Sequence, residues 1–351
     1  MTTTTQPAVV HYALEPLAVE LREVPVPDVG EGEVLLEVGA VSVCGSDVHQ
    51  AHNTHSWKVN VPVVLGHEFG GTVARTGRGV RGFREGDRVV SETAAEICGD
   101  CLMCRTGRYN LCPSRKGFGY GLDGAMAQFV RVPARCLHRI PDSLSFDVAC
   151  LAEPHSVAYQ AMCVNANVSP GDAVVVLGPG PIGLLCTRMA ALSGADPLIV
   201  AGVAADAARL EAARTLGATR TVDVQHESLS DIVRGLAKYG ADVVCDATGA
   251  SRPVEIAMQL TRPDGHIVKV GWSPDPIALD LNPLVQHNLR LQGSFSHNYP
   301  VWERVIHLLD RGLTMPETIV GLRTPLDKWR EAFDAMYESR VIKSVILPNE
   351  R

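Results

Sequence analysis

Long apolar runs are missing from this chain. No stretch of about 18 or more apolar residues occurs, which excludes a helical membrane span. A surplus of positive charge is missing too. The 32 Lys and Arg stand against 39 Asp and Glu, and a formal net charge of −7 argues against nucleic acid as the main partner. The first residues, MTTTTQPAVV, contain no basic segment followed by an apolar one, so no secretory leader is read there and the threonine run is expected to fray. Without a leader, the ten cysteines point to reduced thiols or metal ligands in a cytoplasmic protein, not to a disulfide framework. Charged residues make up 20% and hydrophobic residues 46%, which excludes a disordered chain. At 351 residues the chain exceeds one ordinary core, so two domains are expected.

The texture of the chain changes near residue 152. Before it, EVLLEVGAVSV (33–43), GTVAR (71–75), DRVVSE (87–92) and AQFVRVP (127–133) are short Val-rich segments punctuated by Gly, Pro and Asp, as in a barrel-like β domain. After it, strand and helix alternate. HSVAYQAMCVNA (155–166) reads as a helix, AVVVL and PLIVAG (197–202) as strands, and AADAARLEAARTLGA (204–218) as an amphipathic helix. ADVVCDAT (241–248) and GHIVKVGW (265–272) read as further strands, and the alternation implies a parallel sheet flanked by helices. The tail offers helices at 301–312 and 327–336 and a closing strand, KSVILP (343–348). The fold class is therefore α/β with a separate β-rich domain.

Gly178, Pro179, Gly180, Pro181, Ile182 and Gly183 form a G-x-G-x-x-G run that follows an apolar strand and opens a helical pattern. In that context the first glycine permits a tight turn, the second lets backbone approach a pyrophosphate, and the third lets helix and strand pack closely. The acid that would hold a ribose should end the next strand. Gly202 stands there instead, with Asp206 and then Arg209 beyond it. Asp206 would repel a 2′-phosphate or reach the ribose hydroxyls itself, so NAD is the expected coenzyme and NADP the alternative.

Cys98, Cys101, Cys104 and Cys112 make C-x2-C-x2-C-x7-C. Four thiolates suit a closed tetrahedral zinc site that performs no chemistry, with an iron–sulfur cluster as the rival. Cys136, Cys150, Cys163, Cys186 and Cys245 are scattered among apolar residues and read as buried structural thiols. A second set is more dispersed: Cys44 in VCGSDVH, His67 and Glu68 in LGHEFGG, and Glu153 in LAEPHS. One Cys, one His and one carboxylate would leave an open position on a zinc ion.

These motifs occur in the order found in a known family. GHEFGGTVARTGRGV (66–80) resembles the signature of the zinc-containing medium-chain alcohol dehydrogenases, and the four-cysteine loop and glycine loop lie where that family keeps a structural zinc and its coenzyme. CGSDVH and AEPHSVAYQA are most similar to the sorbitol (L-iditol) and threonine dehydrogenase branch. The resemblance implies a GroES-like catalytic domain over 1–157 carrying the zinc loop 98–112, a Rossmann coenzyme domain over 158–294, and a segment 295–351 that returns to the first. It implies two zinc ions per chain and a homotetramer or homodimer that binds no nucleic acid or membrane. The substrate would be a small polar alcohol, with hydride passing to NAD or NADP. By position, Cys44 and His67 would be ligands of the catalytic zinc, and Glu68 or Glu153 its carboxylate or a neighbour one water away. Ser46 would lie on the path of the alcohol proton, with His49 as a further relay. Thr248, Gly249, Val270 and Gly271 would border the coenzyme.

The chain also departs from that branch. Gln50 stands where sorbitol dehydrogenases have an aromatic residue, and Ser296-His297 where they have an Arg-Tyr pair that helps hold a polyol. His155 replaces an apolar residue and is expected either to line the pocket or to sit on the surface at a helix start. The expected reaction is oxidation of a secondary alcohol of a polyol, cyclitol or amino-polyol to a ketone. The alternatives are a threonine 3-dehydrogenase-like enzyme and a non-catalytic dinucleotide-binding relative. Ala95 and Glu153-Pro154 depart from the threonine group, and the presence of Cys44 and His67 argues against the non-catalytic reading.

Overall fold

A computed structural model of the chain describes residues 4–250, 252–272 and 276–350. Thr2 and Thr3 of the threonine run lie outside the described residues, whereas Thr5 already opens a strand. The chain divides into two compact units, Met1–Glu153 with His297–Arg351, and Pro154–Ser296. Among the described residues, no helix is long and apolar enough to cross a membrane.

The first unit is built on a seven-stranded sheet. Its path runs Val320–Pro325, Lys343–Leu347, Glu33–Ser42, Glu68–Thr76, Arg88–Ser91 and Leu137–Arg139, with Phe129–Pro133 paired to Glu33–Ser42 off that path. A smaller antiparallel sheet joins Val19–Pro25, Thr5–His11 and Val63–Val64. The long strand Glu33–Ser42 is buried over most of its length, so apolar residues occupy consecutive positions, as at Val34, Leu35 and Leu36, instead of alternating strictly with polar ones. Val34, Leu36, Val38 and Val41 pack with Phe69, Phe118, Trp329 and Phe333 in one core.

Strand register positions the site. Glu33–Ser42 and Glu68–Thr76 are antiparallel, with Ser42 directly opposite Glu68. Cys44, two residues past Ser42, therefore emerges at the same end of the ladder as His67, the residue before Glu68. The C-terminal strand Lys343–Leu347 lies on the other side of Glu33–Ser42, with Val345 opposite Ser42. Lys343 is thereby carried to the same end.

The second unit is a six-stranded, wholly parallel sheet in the order Arg220–Asp223, Leu198–Gly202, Val174–Leu177, Ala241–Asp246, Thr261–Lys269, Arg290–Gly293. Numbered along the chain this is 3-2-1-4-5-6, the order of dinucleotide-binding sheets, whose ligands sit beyond the carboxyl ends of the strands. The helical reading of 155–166 needs correction. The α-helix is Ala152–Tyr159, and Gln160–Asn165 continues as a π-helix. The helix expected over 204–218 is a 3-10 turn at Ala204–Asp206 followed by an α-helix at Ala207–Thr215.

Candidate active site

Cys44 caps the N-terminus of the short helix Gly45–Ala51, and its backbone N–H donates to Asp47 Oδ2 at 2.9 Å. The other oxygen of Asp47 lies 3.5 Å from His67 Nδ1. Asp47, itself buried, thus orients two candidate metal ligands from behind. Its role was not read from the sequence, although an acid at the third helical position after Cys44 is a capping signal. Burial pulls the His67 imidazole down, but Asp47 and Cys44 beside it outweigh burial and hold it well above its ordinary value. Ser46 Oγ lies 3.5 Å from His67 Nε2. His49, one turn further along the helix, is paired through Nδ1 with Thr54 Oγ1 at 2.9 Å.

Glu68 is buried, with Oε2 accepting from Ser42 Oγ and from Lys343 Nζ, the latter at 2.6 Å. Its Oε1 has no hydrogen-bond partner. One donor atom each from Cys44, His67 and Glu68 lie within 4.8 Å of one another. A thiol, an imidazole and an unpartnered buried carboxylate oxygen form a donor set that fits zinc.

Glu153 is not part of that three-residue group. Its Oε1 is 2.9 Å from His297 Nε2, whose opposite nitrogen, Nδ1, accepts a 2.6 Å hydrogen bond from Trp302 Nε1. His297 is 1% exposed and does not display a polar group to solvent. Burial pushes the Glu153 carboxyl up, yet the hydrogen bond from His297 and the charged groups nearby, His67 and Lys343, bring it below its ordinary value. Gln50 is likewise spoken for, donating to Gly119 O at 2.9 Å and accepting from Trp57 Nε1 at 3.1 Å. His155 is 0% exposed, which removes the surface alternative.

The four-cysteine lobe is compact. The sulfurs of Cys98, Cys101, Cys104 and Cys112 all lie within 4.8 Å of one another, a spread suited to a tetrahedron of Zn–S bonds of about 2.3 Å. Backbone N–H groups of Cys98, Cys101 and Cys104 each point at a neighbouring sulfur at 3.4 Å. The bond from Cys98 holds the Cys112 thiol down at about 7, whereas the Asp100 side chain pushes Cys98 up to about 12 and burial pushes Cys104 up. Of the remaining thiols, Cys136, Cys150, Cys186 and Cys245 are buried and Cys163 is half-buried.

In the parallel-sheet unit, Gly178 adopts φ +90°, and a Cβ on Gly183 would stand 1.9 Å from Gly178 O. Both positions therefore require glycine. A Cβ on Gly180 would meet nothing within 4 Å, so the backbone ahead of helix Pro181–Leu192 is open on that side, as a bound pyrophosphate needs. Pro181 and Ile182 open that helix. Thr248 packs against Gly178, and Gly271 lies so near Thr248 that a Cβ there would come within 1.7 Å of its carbonyl. Gly249 approaches the carbonyl of Trp272, and Val270 N–H donates to Asp246 O at 2.9 Å. The structure thus gathers the glycine loop, Thr248, Gly249, Val270 and Gly271 at the carboxyl ends of three adjacent interior strands, Val174–Leu177, Ala241–Asp246 and Thr261–Lys269. Gly202 lacks room for a side chain, because a Cβ would meet Pro179 at 2.9 Å. Asp206 accepts from Val203 N–H at 3.2 Å and pairs with Arg209 at 3.3 Å.

Comparison with known proteins gives the same picture over the whole chain. Residues 30–142 match the alcohol dehydrogenase GroES-like domain, and residues 181–311 match the zinc-binding dehydrogenase family. The chain is 37% identical to a D-arabitol-phosphate dehydrogenase of Enterococcus avium over 93% of each protein. It is 35% identical to a sorbitol dehydrogenase of Halalkalibacterium halodurans, covering 93% of this chain and 95% of that protein. A zinc-binding dehydrogenase of Sinorhizobium meliloti 1021, solved with NADP, superposes with a TM-score of 0.89 at 28% identity, covering 99% of this chain and 100% of the other. This chain belongs to the zinc-type medium-chain alcohol dehydrogenases and is an NAD(P)-dependent enzyme of that family.

Proposed function

We propose that the protein oxidises a secondary alcohol of a polyol, cyclitol or amino-polyol to the ketone. The observation that carries this reading is the convergence of Cys44, His67 and Glu68, with the Ser46 hydroxyl 3.5 Å from His67 Nε2. Cys44 and His67 would hold the catalytic zinc, with either Glu68 through Oε1 or Glu153 as the carboxylate. Cys98, Cys101, Cys104 and Cys112 would hold the structural one. Zinc polarises the alcohol oxygen when bound, and the nicotinamide coenzyme accepts the hydride.

The residues of the chain supply the rest. Asp47, 3.5 Å from His67 Nδ1, would orient the His67 ring and leave Nε2 available to hold the zinc. Ser46 Oγ receives the alcohol proton and passes it outward, with His49, on the next turn of the same helix, as the following acceptor. Gly178, Gly180 and Gly183 cradle the pyrophosphate, and Thr248, Gly249, Val270 and Gly271 border the coenzyme. The named activities of the two relatives, on arabitol phosphate and sorbitol, support a polyhydroxylated substrate. The His297 substitution argues for a polyol held differently from sorbitol.

The test is coenzyme reduction, followed by absorbance, with NAD and with NADP. The panel comprises sugar alcohols, their phosphates, cyclitols, aminocyclitols, threonine and simple alkanols. Turnover of a polyhydroxy compound is expected. Turnover confined to threonine or to simple alkanols would overturn the substrate class.

A further inference from the structure

Within the unit Met1–Glu153 with His297–Arg351, the four-cysteine lobe is joined to Glu153 by hydrogen bonds to Asn298 and Tyr299, the backbone that ties these to His297, and the contact between His297 and Glu153. We infer that the lobe acts as a positioning element for the catalytic metal site, reaching Glu153 through Asn298, Tyr299 and His297. The inference rests on the reading of Cys44, His67 and a carboxylate as that site.

The lobe grips the chain next to His297 at two points. Gly107 O accepts from Asn298 Nδ2 at 3.2 Å, and the Tyr109 hydroxyl accepts from Tyr299 N–H at 2.7 Å. Tyr299 is the first residue of helix Tyr299–Asp310, and the capping residue Asn298 makes no side-chain cap. A first-turn N–H normally lacks an intrahelical partner, and here a side chain from the lobe supplies one.

The Tyr109 hydroxyl cannot wander. It donates to the buried Glu92 carboxylate, at 2.8 and 2.7 Å to the two oxygens. Burial and the adjacent Glu92 push the phenol far up, so it keeps its proton and remains a donor. Glu92 in turn contacts His138 Nε2 at 3.2 Å, and the His138 ring stacks on Trp302 at 5.4 Å and 8°.

From Trp302 the series has a fixed direction. An indole N–H only donates, so His297 Nδ1 must be the acceptor of the 2.6 Å bond. The imidazole proton then lies on Nε2, aimed at Glu153 Oε1. Both rings are fully packed, at 1% and 0% exposure, so the carboxylate is held by a group with no rotamer freedom. Displacing residues 298 and 299 displaces His297, and with it the carboxylate that faces His67.

The test uses the full-length protein with cobalt(II) in the Cys44–His67 site and zinc kept in the four-cysteine site. The d–d spectrum reports ligand geometry independently of turnover, and the rate of cobalt loss to a chelator reports retention. His297→Leu should weaken cobalt affinity about 10- to 100-fold, the usual cost of removing an outer-shell partner. His297→Gln, which keeps a donor, should recover most of that loss. Tyr109→Phe, which deletes the hydroxyl in the lobe, should shift the cobalt bands and speed cobalt release by a smaller factor. Asn298→Ala, a milder change near the surface, should move both readouts in the same direction and serves if Tyr109→Phe does not fold. Lowered thermal stability with wild-type cobalt bands and release rate in these two variants would show the lobe to be a staple alone and overturn the inference. A wild-type protein that takes up no cobalt with a thiolate signature would instead overturn the site on which the inference rests.

Discussion

Lys343 Nζ lies 2.6 Å from Glu68 Oε2, and both side chains are withdrawn from solvent. Lys343 also donates to Val43 O at 3.0 Å. Burial pulls the ammonium down, but Glu68 and Cys44 outweigh it and hold Lys343 above its ordinary range, charged. Lys343, from the far side of strand Glu33–Ser42, therefore sets the charge beside the candidate metal ligands Cys44, His67 and Glu68. Lys343→Met would leave a buried carboxylate uncompensated, at a cost of about 3–5 kcal/mol. Urea unfolding should show this as a lower midpoint. The double variant Lys343→Met with Glu68→Gln should be less destabilised than the sum of the single changes. A single-variant cost below about 0.5 kcal/mol, typical of an uninvolved surface position, would refute the claim that the pair matters.

The two cysteine sets should respond differently to loss of one ligand. Cys44→Ser is expected to abolish turnover and remove about one zinc per chain while the far-ultraviolet circular dichroism stays native, because an open catalytic site contributes little to folding. Cys101→Ser should instead lower thermal stability, because the lobe has few buried apolar groups of its own. Its members range from exposed to buried, and Leu102 beside Cys101 is 66% exposed. Metal content by mass spectrometry, read alongside the melting curve, separates the two. If Cys44→Ser kept its full zinc complement and its activity, the catalytic assignment would fail.

What could be read from the sequence follows from distance along the chain. The glycine loop was legible because strand, turn and helix are contiguous, and the four-cysteine lobe because its ligands fall within fifteen residues. Cys44 and His67 needed the family resemblance, since only the register that sets Ser42 opposite Glu68 brings them together. Nothing local signals that His297 bonds Glu153, 144 residues away, or that Lys343 reaches Glu68. Such pairs depend on tertiary packing. The π-helical Gln160–Asn165 escaped for a related reason: its residues have ordinary helical character, and no local pattern marks the change in hydrogen bonding.

Two glycines of the loop, Gly180 and Gly183, make separable predictions. Gly183→Ala places a Cβ 1.9 Å from Gly178 O, so the helix must shift, and both stability and coenzyme binding should fall. Gly180→Ala meets no protein atom within 4 Å. Its melting temperature should stay near wild type while coenzyme affinity drops by about tenfold, equivalent to about 1.4 kcal/mol. Calorimetric titration with NAD and NADP measures the second quantity directly. Equal losses of stability in the two variants would mean that the space above Gly180 is not where the phosphates lie.

Coenzyme choice should depend on Asp206. The strand end at Gly202 has no room for an acid, and Asp206 is the first carboxylate beyond it, tied to Val203 N–H and to Arg209. Asp206→Ser would remove the negative charge beside the Arg209 guanidinium, a group that suits a 2′-phosphate. The ratio of kcat/KM for NADP over NAD should rise by about tenfold or more, equivalent to about 1.4 kcal/mol. An unchanged ratio would place the discriminating contacts elsewhere.

Ser46 offers the sharpest separation of binding from chemistry. Its hydroxyl is 3.5 Å from His67 Nε2, but neither Cys44 nor His67 depends on it for position, because Asp47 orients both. Ser46→Ala should therefore retain zinc, coenzyme affinity and fold. If Ser46 accepts the alcohol proton as proposed, kcat should fall by about 10²-fold or more with KM changed little. Ser46→Thr keeps a hydroxyl on the same helix and should recover a large share of kcat. A His49→Ala variant should lose less than Ser46→Ala, because His49 is one step further out and already paired with Thr54. If KM rose while kcat held in Ser46→Ala, the serine would be a substrate-binding group and the proton would leave by another route.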